Sequence, residues 1–384
     1  MIYGIQASKD IKLSNVSRAL EEEIPLIKTE NRLSRQINQR DLTRTITERL
    51  LKEGKQYIKE GTVLAVDISD ISKKYSRKQE NLAHVRNGSE KEIKNGYWTI
   101  GVIGAEVGGD RVIPLYGELY SQLSADFQSE NSMILKAIDS VYEKIGKGIF
   151  TIDRGGDRKA LLKALLGREA KFLVRLTGKR DLWNKGKKRR GEVIAKKCLC
   201  KYRIKVKVKK EGEMLKEKVL HIGWRKVRLT FDKTPLAMVV VKGYGEDPLM
   251  LLTNLRVKNE EDSVRILEIY LTRWKCEESW RFIKQSYNLE DVRLLRYTGL
   301  RNVVPLVMAV FFFVSVVLGT ATRLRILLKK VYEKAKRFFE IPSFKQYAIC
   351  DGIHNILWGR KFSEIKPQIP ENPQLILPFE IISP

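Results

Sequence analysis

The chain has 384 residues, of which 73 are Lys or Arg and 46 are Asp or Glu, leaving a formal charge of +27. That length buries a core large enough for two or three domains, and the excess of one sign is far from the balance of an ordinary soluble enzyme; it points to a polyanionic partner, nucleic acid first. Four Cys without paired spacing fit a reducing cytosol without structural disulfides, and the start, MIYGIQASKDIKLS, lacks the long apolar core of a secretory signal.

Residues 1–60 read as helical and polar. Ser14 is placed to cap a short helix (NVSRALEE), Pro25 to break it, and Thr29 to cap a second (ENRLSRQINQ) that carries Arg32, Arg35 and Arg40. Two short helices around a break suit a helix-turn-helix that contacts DNA, and equally a plain helical hairpin. From Thr62 the texture changes. TVLAVD is a strand-type run ending in Asp67, followed by a polar loop rich in Lys and Arg. Tyr97–Ala105 and Arg111–Tyr120 read as strands joined at the Gly108–Gly109 turn. Glu130–Ile145 is an amphipathic helix, Gly148–Asp153 (GIFTID) a strand ending in an Asp, Asp157–Leu166 a helix and Lys171–Leu176 a strand. Three antiparallel strands followed by alternating helix and strand make an α/β core with at least one parallel crossover.

Residues 179–233 hold 21 Lys and Arg against 6 Asp and Glu. Ile204, Val206 and Val208 alternate with Lys205, Lys207 and Lys209, and Val227, Leu229 and Phe231 with Arg228, Thr230 and Asp232. Such alternation gives half-exposed strands with a basic outer face, either simply solvated or laid against nucleic acid. Leu236–Val241 and Leu249–Thr253 are apolar strands returning to the core, and Asn259 with Asp262 opens a long helix in capping-box style. The apolar run Val303–Leu318, 16 residues with Pro305 inside, is short of the ~20 needed to span a bilayer and reads as a core helix. A basic helical tail follows, and the end from Glu364 holds 5 of the 11 Pro and reads as extended.

The long helix carries the most informative stretch, YLTRWKCEESWRFIK. Tyr270, Arg273, Glu277 and Lys284 stand at offsets of 0, 3, 7 and 14, which one helix places within an arc of about 60°. Ile269, Leu271, Trp274, Trp280, Phe282 and Ile283 fill much of the rest, so the polar stripe faces something particular: an internal ion-pair ladder, or a site. Asp67 and Asp153 are expected at the carboxyl ends of strands, where open α/β sheets present ligands. Together with Glu277 they form a set of hard oxygen donors that repel one another unless a cation joins them, suiting Mg²⁺ or Mn²⁺, in all two ions acting on a phosphodiester. Cys198 and Cys200 lack a second pair, and His84, His221 and His354 are scattered, so neither a zinc site nor a Ser-His-Asp or Cys-His grouping is argued.

These residues resemble a known family. Tyr270, Arg273, Glu277 and Lys284 match Y-x2-R-x3-E-x6-K, the signature of the insertion sequence four family of bacterial DDE transposases. VDISDISK resembles that family's first-Asp segment and TIDRGGD its second, DR-x-x-D. The likeness covers about residues 60–320. It implies an RNase H-like (retroviral integrase-like) core interrupted by a β-strand-rich insertion domain, with helical N- and C-terminal regions. The corresponding division is 1–60 helical and a candidate for DNA-end binding, 61–178 first core part, 179–247 basic insertion, 248–325 last core part with the catalytic Glu, and 326–384 helical region and tail. Asp67, Asp153 and Glu277 are then the catalytic metal ligands, with Asp70 the alternative to Asp67, because Asp67-Ile-Ser departs from the usual Asp-Gly-Thr or Asp-Thr-Thr. Tyr270, Arg273 and Lys284 position the transposon-end strand. Trp183 and Trp224 are candidates for stacking a flipped base, with a buried structural role as the alternative for each. The resemblance further implies double-stranded DNA partners (terminal inverted repeats and target), a homodimer in a paired-end complex, no membrane, and a bacterial cytoplasmic, nucleoid-associated location. A nuclease on the same core that never joins strands, and an inactive DNA-binding copy acting as a repressor, are the competing readings.

Overall fold

The computed structural model describes residues 1–86, 92–208, 216–318 and 344–359. Four helices open the chain: α1 (Ile2–Ser8), α2 (Leu13–Leu20), α3 (Leu26–Gln39) and α4 (Thr43–Gly54). Neither expected cap holds. The second helix begins at Leu13, before Ser14, and the third starts directly behind Pro25, whose fixed φ suits a helix entrance. Thr29 lies inside α3 and donates its hydroxyl to Glu22 Oε2 at 2.9 Å. Arg32 is ion-paired to the same Glu22, while Arg35 and Arg40 are exposed.

The first strand, β1 (Val63–Ser72), runs five residues past the expected end at Asp67. The supposed polar loop after Asp67 also supplies β2 (Ala83–Arg86) and the start of β3 (Ile93–Ala105). Its Lys and Arg masked a short alternation: Ala83 and Val85 are buried, His84 and Arg86 exposed. Then come β4 (Val112–Tyr120), α5 (Glu130–Ile145), β5 (Ile149–Ile152), α6 (Lys159–Gly167) and β6 (Phe172–Arg175). Ser129 caps α5 in a reciprocal box with Ser132, and Gly146 closes it in the left-handed region, which explains why the sequence marks its ends so clearly. β1 pairs antiparallel with β3 and β3 with β4, whereas β1–β5 and β5–β6 are parallel. The order β4-β3-β1-β5-β6, with helical crossovers into the parallel strands, is the α/β core expected from the sequence.

The basic segment folds as β7 (Asp181–Asn184), β8 (Lys187–Arg190), α7 (Gly191–Lys196), β9 (Tyr202–Val208) and β10 (Lys216–Leu229), followed by β11 (Leu236–Lys242) and β12 (Leu249–Thr253). β12 pairs antiparallel with β6, β11 with β12 and β10 with β11, so the basic strands continue the core sheet by main-chain hydrogen bonds. Among the described residues this makes one mixed sheet of 12 strands.

Where one long helix was expected, two follow: α8 (Glu260–Thr272) and α9 (Trp274–Ser286), meeting at Arg273. Asn259 Oδ1 accepts from Asp262 N at 2.9 Å and Asp262 Oδ2 from Lys258 N at 2.8 Å, a cap of the anticipated kind displaced by one residue on its return bond. α10 (Tyr297–Phe312) continues as a π-helical turn through Leu318, giving 22 helical residues in place of the 16 read from the apolar run. Its length and hydropathy would suit a membrane, but 78 % of its apolar window is buried inside the protein, against β4 and the N-terminal helices. α11 (Gln346–Gly359) packs against α1 and α9. The basic stretch after Leu318 and the Pro-rich end lie outside the described residues.

Candidate active site

The site begins with strand register. The parallel β1–β5 ladder ends at Val66↔Ile152, so the next residues on the two strands are Asp67 and Asp153. Neighbouring strands lie about 4.8 Å apart, which sets the two carboxylates side by side. Asp153 stands at the end of its strand as anticipated, but Asp67 is in the middle of β1, still paired with Gly101 of β3. What ends at Asp67 is the parallel partner, and that opens the crevice. Asp153 Oδ1 accepts the N–H of Gly155 at 2.7 Å, which fixes the turn leaving β5.

Glu277 reaches this edge because α9 crosses the sheet closely. A Cβ on Gly101 would lie 2.7 Å from the Trp280 ring, so the glycine opposite Asp67 is the seat of Trp280, and Glu277 sits one turn before it. Asp67 is half-buried by area but crowded by protein atoms; that loss of water is the chief cause raising its carboxyl to about 7. Arg273 pulls it down, while Asp153 and Glu277 push it further up. Three carboxylates therefore sense one another across the sheet edge.

Arg273 is 8 % exposed and joins Glu277 through Nη2–Oε1 at 2.5 Å; its guanidinium stands 5.5 Å from the Tyr270 ring centre. Burial opposes its charge, but Glu277 and Tyr270 outweigh that and hold Arg273 above its ordinary pKa. Nε and Nη1 are buried without hydrogen-bond partners, leaving two donors unused. Tyr270 is 4 % exposed, and its hydroxyl accepts from Arg175 Nη1 at 3.4 Å. Lys284, two turns after Glu277 on α9, has its Nζ 3.5 Å from Asp70 and 3.3 Å from Glu290. The stripe thus holds an Arg273–Glu277 pair and an Asp70–Lys284–Glu290 cluster. Asp70, with Ser72 Oγ donating to it at 2.8 Å, is thus engaged away from Asp67.

Two supporting residues carried no role in the sequence reading. Asp157, the last residue of TIDRGGD, accepts from Thr177 N at 2.9 Å, Thr177 Oγ1 at 2.8 Å and Arg180, tying the turn after β5 to the chain after β6. Its place in that segment was the signal available. Cys276, fully buried, has its thiol pushed well above the usual value by burial and then by Asp67, so no thiolate competes with the carboxylates. Trp224 stacks on Tyr202 with ring centres 5.8 Å apart and is half-buried, whereas Trp183 is 38 % exposed, against the buried role weighed for both.

Among the described residues no group of three or more His, Cys, Asp or Glu is arranged closely enough to hold a metal ion. The chemistry of the donor set nevertheless fits a hard divalent cation: Asp67, Asp153 and Glu277 offer only oxygens, and their mutual repulsion is now relieved by Arg273.

Fold and site together describe a mixed α/β protein with a large mixed sheet, with Asp67 and Asp153 next in line where the β1–β5 ladder ends. Residues 124–311, a little under half of the chain, match the family model described as Transposase DDE domain, which supports a DDE transposase. Such a domain implies an enzyme that acts on DNA. The matched segment contains Asp153 and Glu277 and begins after Asp67. No curated protein matches the chain.

Proposed function

We propose that the chain is the transposase of an insertion sequence, of the insertion sequence four type, which cuts DNA at terminal inverted repeats and joins the 3′-OH ends to target DNA. The reading rests on the register that puts Asp67 beside Asp153, with Glu277 acting on Asp67 from α9, and on the family match that spans the latter two. In this reading β1, β3–β6 and α5–α6 form an RNase H-like core (61–178 and 248–325), the basic strands form the insertion (179–247), and residues 1–60 and 326–384 are accessory regions.

Asp67, Asp153 and Glu277 would hold Mg²⁺ or Mn²⁺, two ions in all, which supply a Lewis acid at the attacking and leaving oxygens of the phosphodiester. The chain's own residues do the positioning. Arg273, bound to Glu277 and lying 5.5 Å from the Tyr270 ring centre, would set positive charge beside the transposon-end strand. Lys284 adds positive charge on the Asp70 side of the crevice. Trp183, exposed between Lys188 and Arg228 in cross-strand register, is the better candidate for stacking an unpaired base. Paired DNA ends would be held by a homodimer in the bacterial cytoplasm, at the nucleoid.

Glu277→Ala is expected to abolish Mg²⁺-dependent cleavage of DNA bearing the element's ends while leaving end binding nearly intact; unchanged cleavage would remove Glu277 from the mechanism. The competing nuclease reading is separated by the products, since joining of a 3′-OH end into a plasmid requires a transposase.

A further inference from the structure

Beyond the carboxylates, β1 runs on to Ser72 and delivers the chain into the β1–β2 connection. A cavity of about 550 Å³ opens there, lined by Lys73, Lys74, Tyr75, Lys94 and Arg293 among others, a size that accommodates a nucleotide. Tyr75 is 86 % exposed, a large aromatic ring with almost no packing role, and Lys74 Nζ lies 5.5 Å from its centre. Lys74 and Arg293 are exposed.

The backbone carrying this ring is held firmly. Lys73 N donates to Asn95 O at 2.6 Å, Lys73 Nζ to Glu290 O at 2.7 Å, Gln79 Nε2 to Leu294 O at 2.8 Å and Glu80 N to Leu295 O at 2.9 Å. The two acidic residues of the wall are engaged, Asp291 with Lys12 at 2.7 Å and Glu290 with Lys284 at 3.3 Å, and they are outnumbered by Lys73, Lys74, Lys94 and Arg293. What the cavity presents outward is therefore cationic and aromatic, on a pinned loop, the combination that binds single-stranded nucleic acid.

We infer that this cavity is a binding site for a single DNA strand, in which Tyr75 stacks an unpaired base while Lys74 and Arg293 hold the flanking phosphates. The inference rests on the DNA-acting reading above and adds a second contact region to it. β1 connects the two: Ser72 lies five residues beyond Asp67 on the same strand, a rise of roughly 17 Å.

The test uses the full chain and a fluorescein-labelled oligodeoxythymidylate, with binding read by anisotropy over a series of salt concentrations. Tyr75→Ala is expected to weaken binding about tenfold to a hundredfold and Tyr75→Trp to restore it; the ring's exposure makes either change harmless to folding. The double variant Lys74→Ala/Arg293→Ala is expected to lower the salt slope by about 1.4. If wild type binds the strand and neither change alters affinity or slope, the cavity is not the site, although the DNA-acting reading survives. If only the double variant matters, the base-stacking role is overturned. If wild type binds no single strand, this inference fails, while the transposase reading, which concerns duplex ends, is decided separately by the cleavage and joining assays.

Discussion

Arg273 occupies the position where competing demands meet. It neutralises Glu277, lies against Tyr270 and lowers the Asp67 carboxyl, yet keeps two buried donor nitrogens, Nε and Nη1, without acceptors. Breaking a buried ion pair from one side costs several kcal/mol, but Glu277 is a third exposed, so about 1–3 kcal/mol is the reasonable scale here. Arg273→Ala is thus expected to lower the melting temperature of metal-free protein, and Mg²⁺ is expected to recover more of it than it adds to wild type, because the three carboxylates lose their resident cation. Equal Mg²⁺-induced rises in the two proteins would mean that Arg273 does not share charge with that set. At this scale the residue types were legible and the partners were not. The spacing of Arg273 and Glu277, four apart on a helix, announces their contact. Lys284 turning to Asp70, and Tyr270 meeting Arg175, depend on a sheet assembled from distant segments.

Elements with strong local signals were read close to their true limits. α5 carries a cap at one end and a left-handed glycine at the other, and β5 is a clean apolar run. Elements whose limits come from neighbours were not. β1 is prolonged beyond Asp67 by pairing with β3, so hydrogen bonds to a partner strand override its own polarity. The helix around Arg273 divides where the backbone tightens, with Arg273 N bonding Tyr270 O at 3.1 Å and Cys276 N bonding Arg273 O at 2.9 Å, both three residues apart. A further element-level device escaped notice in the sequence: Asn302, fully buried on α10, donates to Ile37 O at 2.7 Å and Arg40 O at 2.8 Å and accepts from Leu42 N at 2.6 Å. It satisfies the turn between α3 and α4. Asn302→Ala would strand those main-chain groups, at about 2–4 kcal/mol in all. Earlier proteolytic release of residues 1–42 and a lower melting temperature are expected; a melting curve identical to wild type would show the turn to be satisfied otherwise.

For the molecule as a whole, charge was the most readable property and sheet continuity the least. The excess of Lys and Arg in 179–233 is plain in the sequence, and alternation correctly foretold half-exposed strands, with Arg203 and Lys205 outward and Ile204 and Val206 half-buried. Nothing local says that β12 pairs with β6 across more than seventy residues and thereby fastens the basic strands to the core. DNA is expected to slow amide exchange along β9 and β10 relative to free protein. Exchange unaltered by DNA would reduce the basic surface to a solubilising coat.

The buried course of α10 has a consequence for the order of events during synthesis. α1, α3 and α4 lie against α10 as well as against elements nearer in the chain, so part of the packing of the amino-terminal helices waits for a distant segment. Gly54 ends α4 and Tyr297 begins α10; at ribosomal speeds of about 5–20 residues per second, roughly 12–50 s separate them. For that interval Leu33, Ile37, Leu50 and Leu51 belong to helices whose docking surface is only partly made. These helices therefore reach their final place only once α10 has been made, and until then part of their apolar faces lacks its partner.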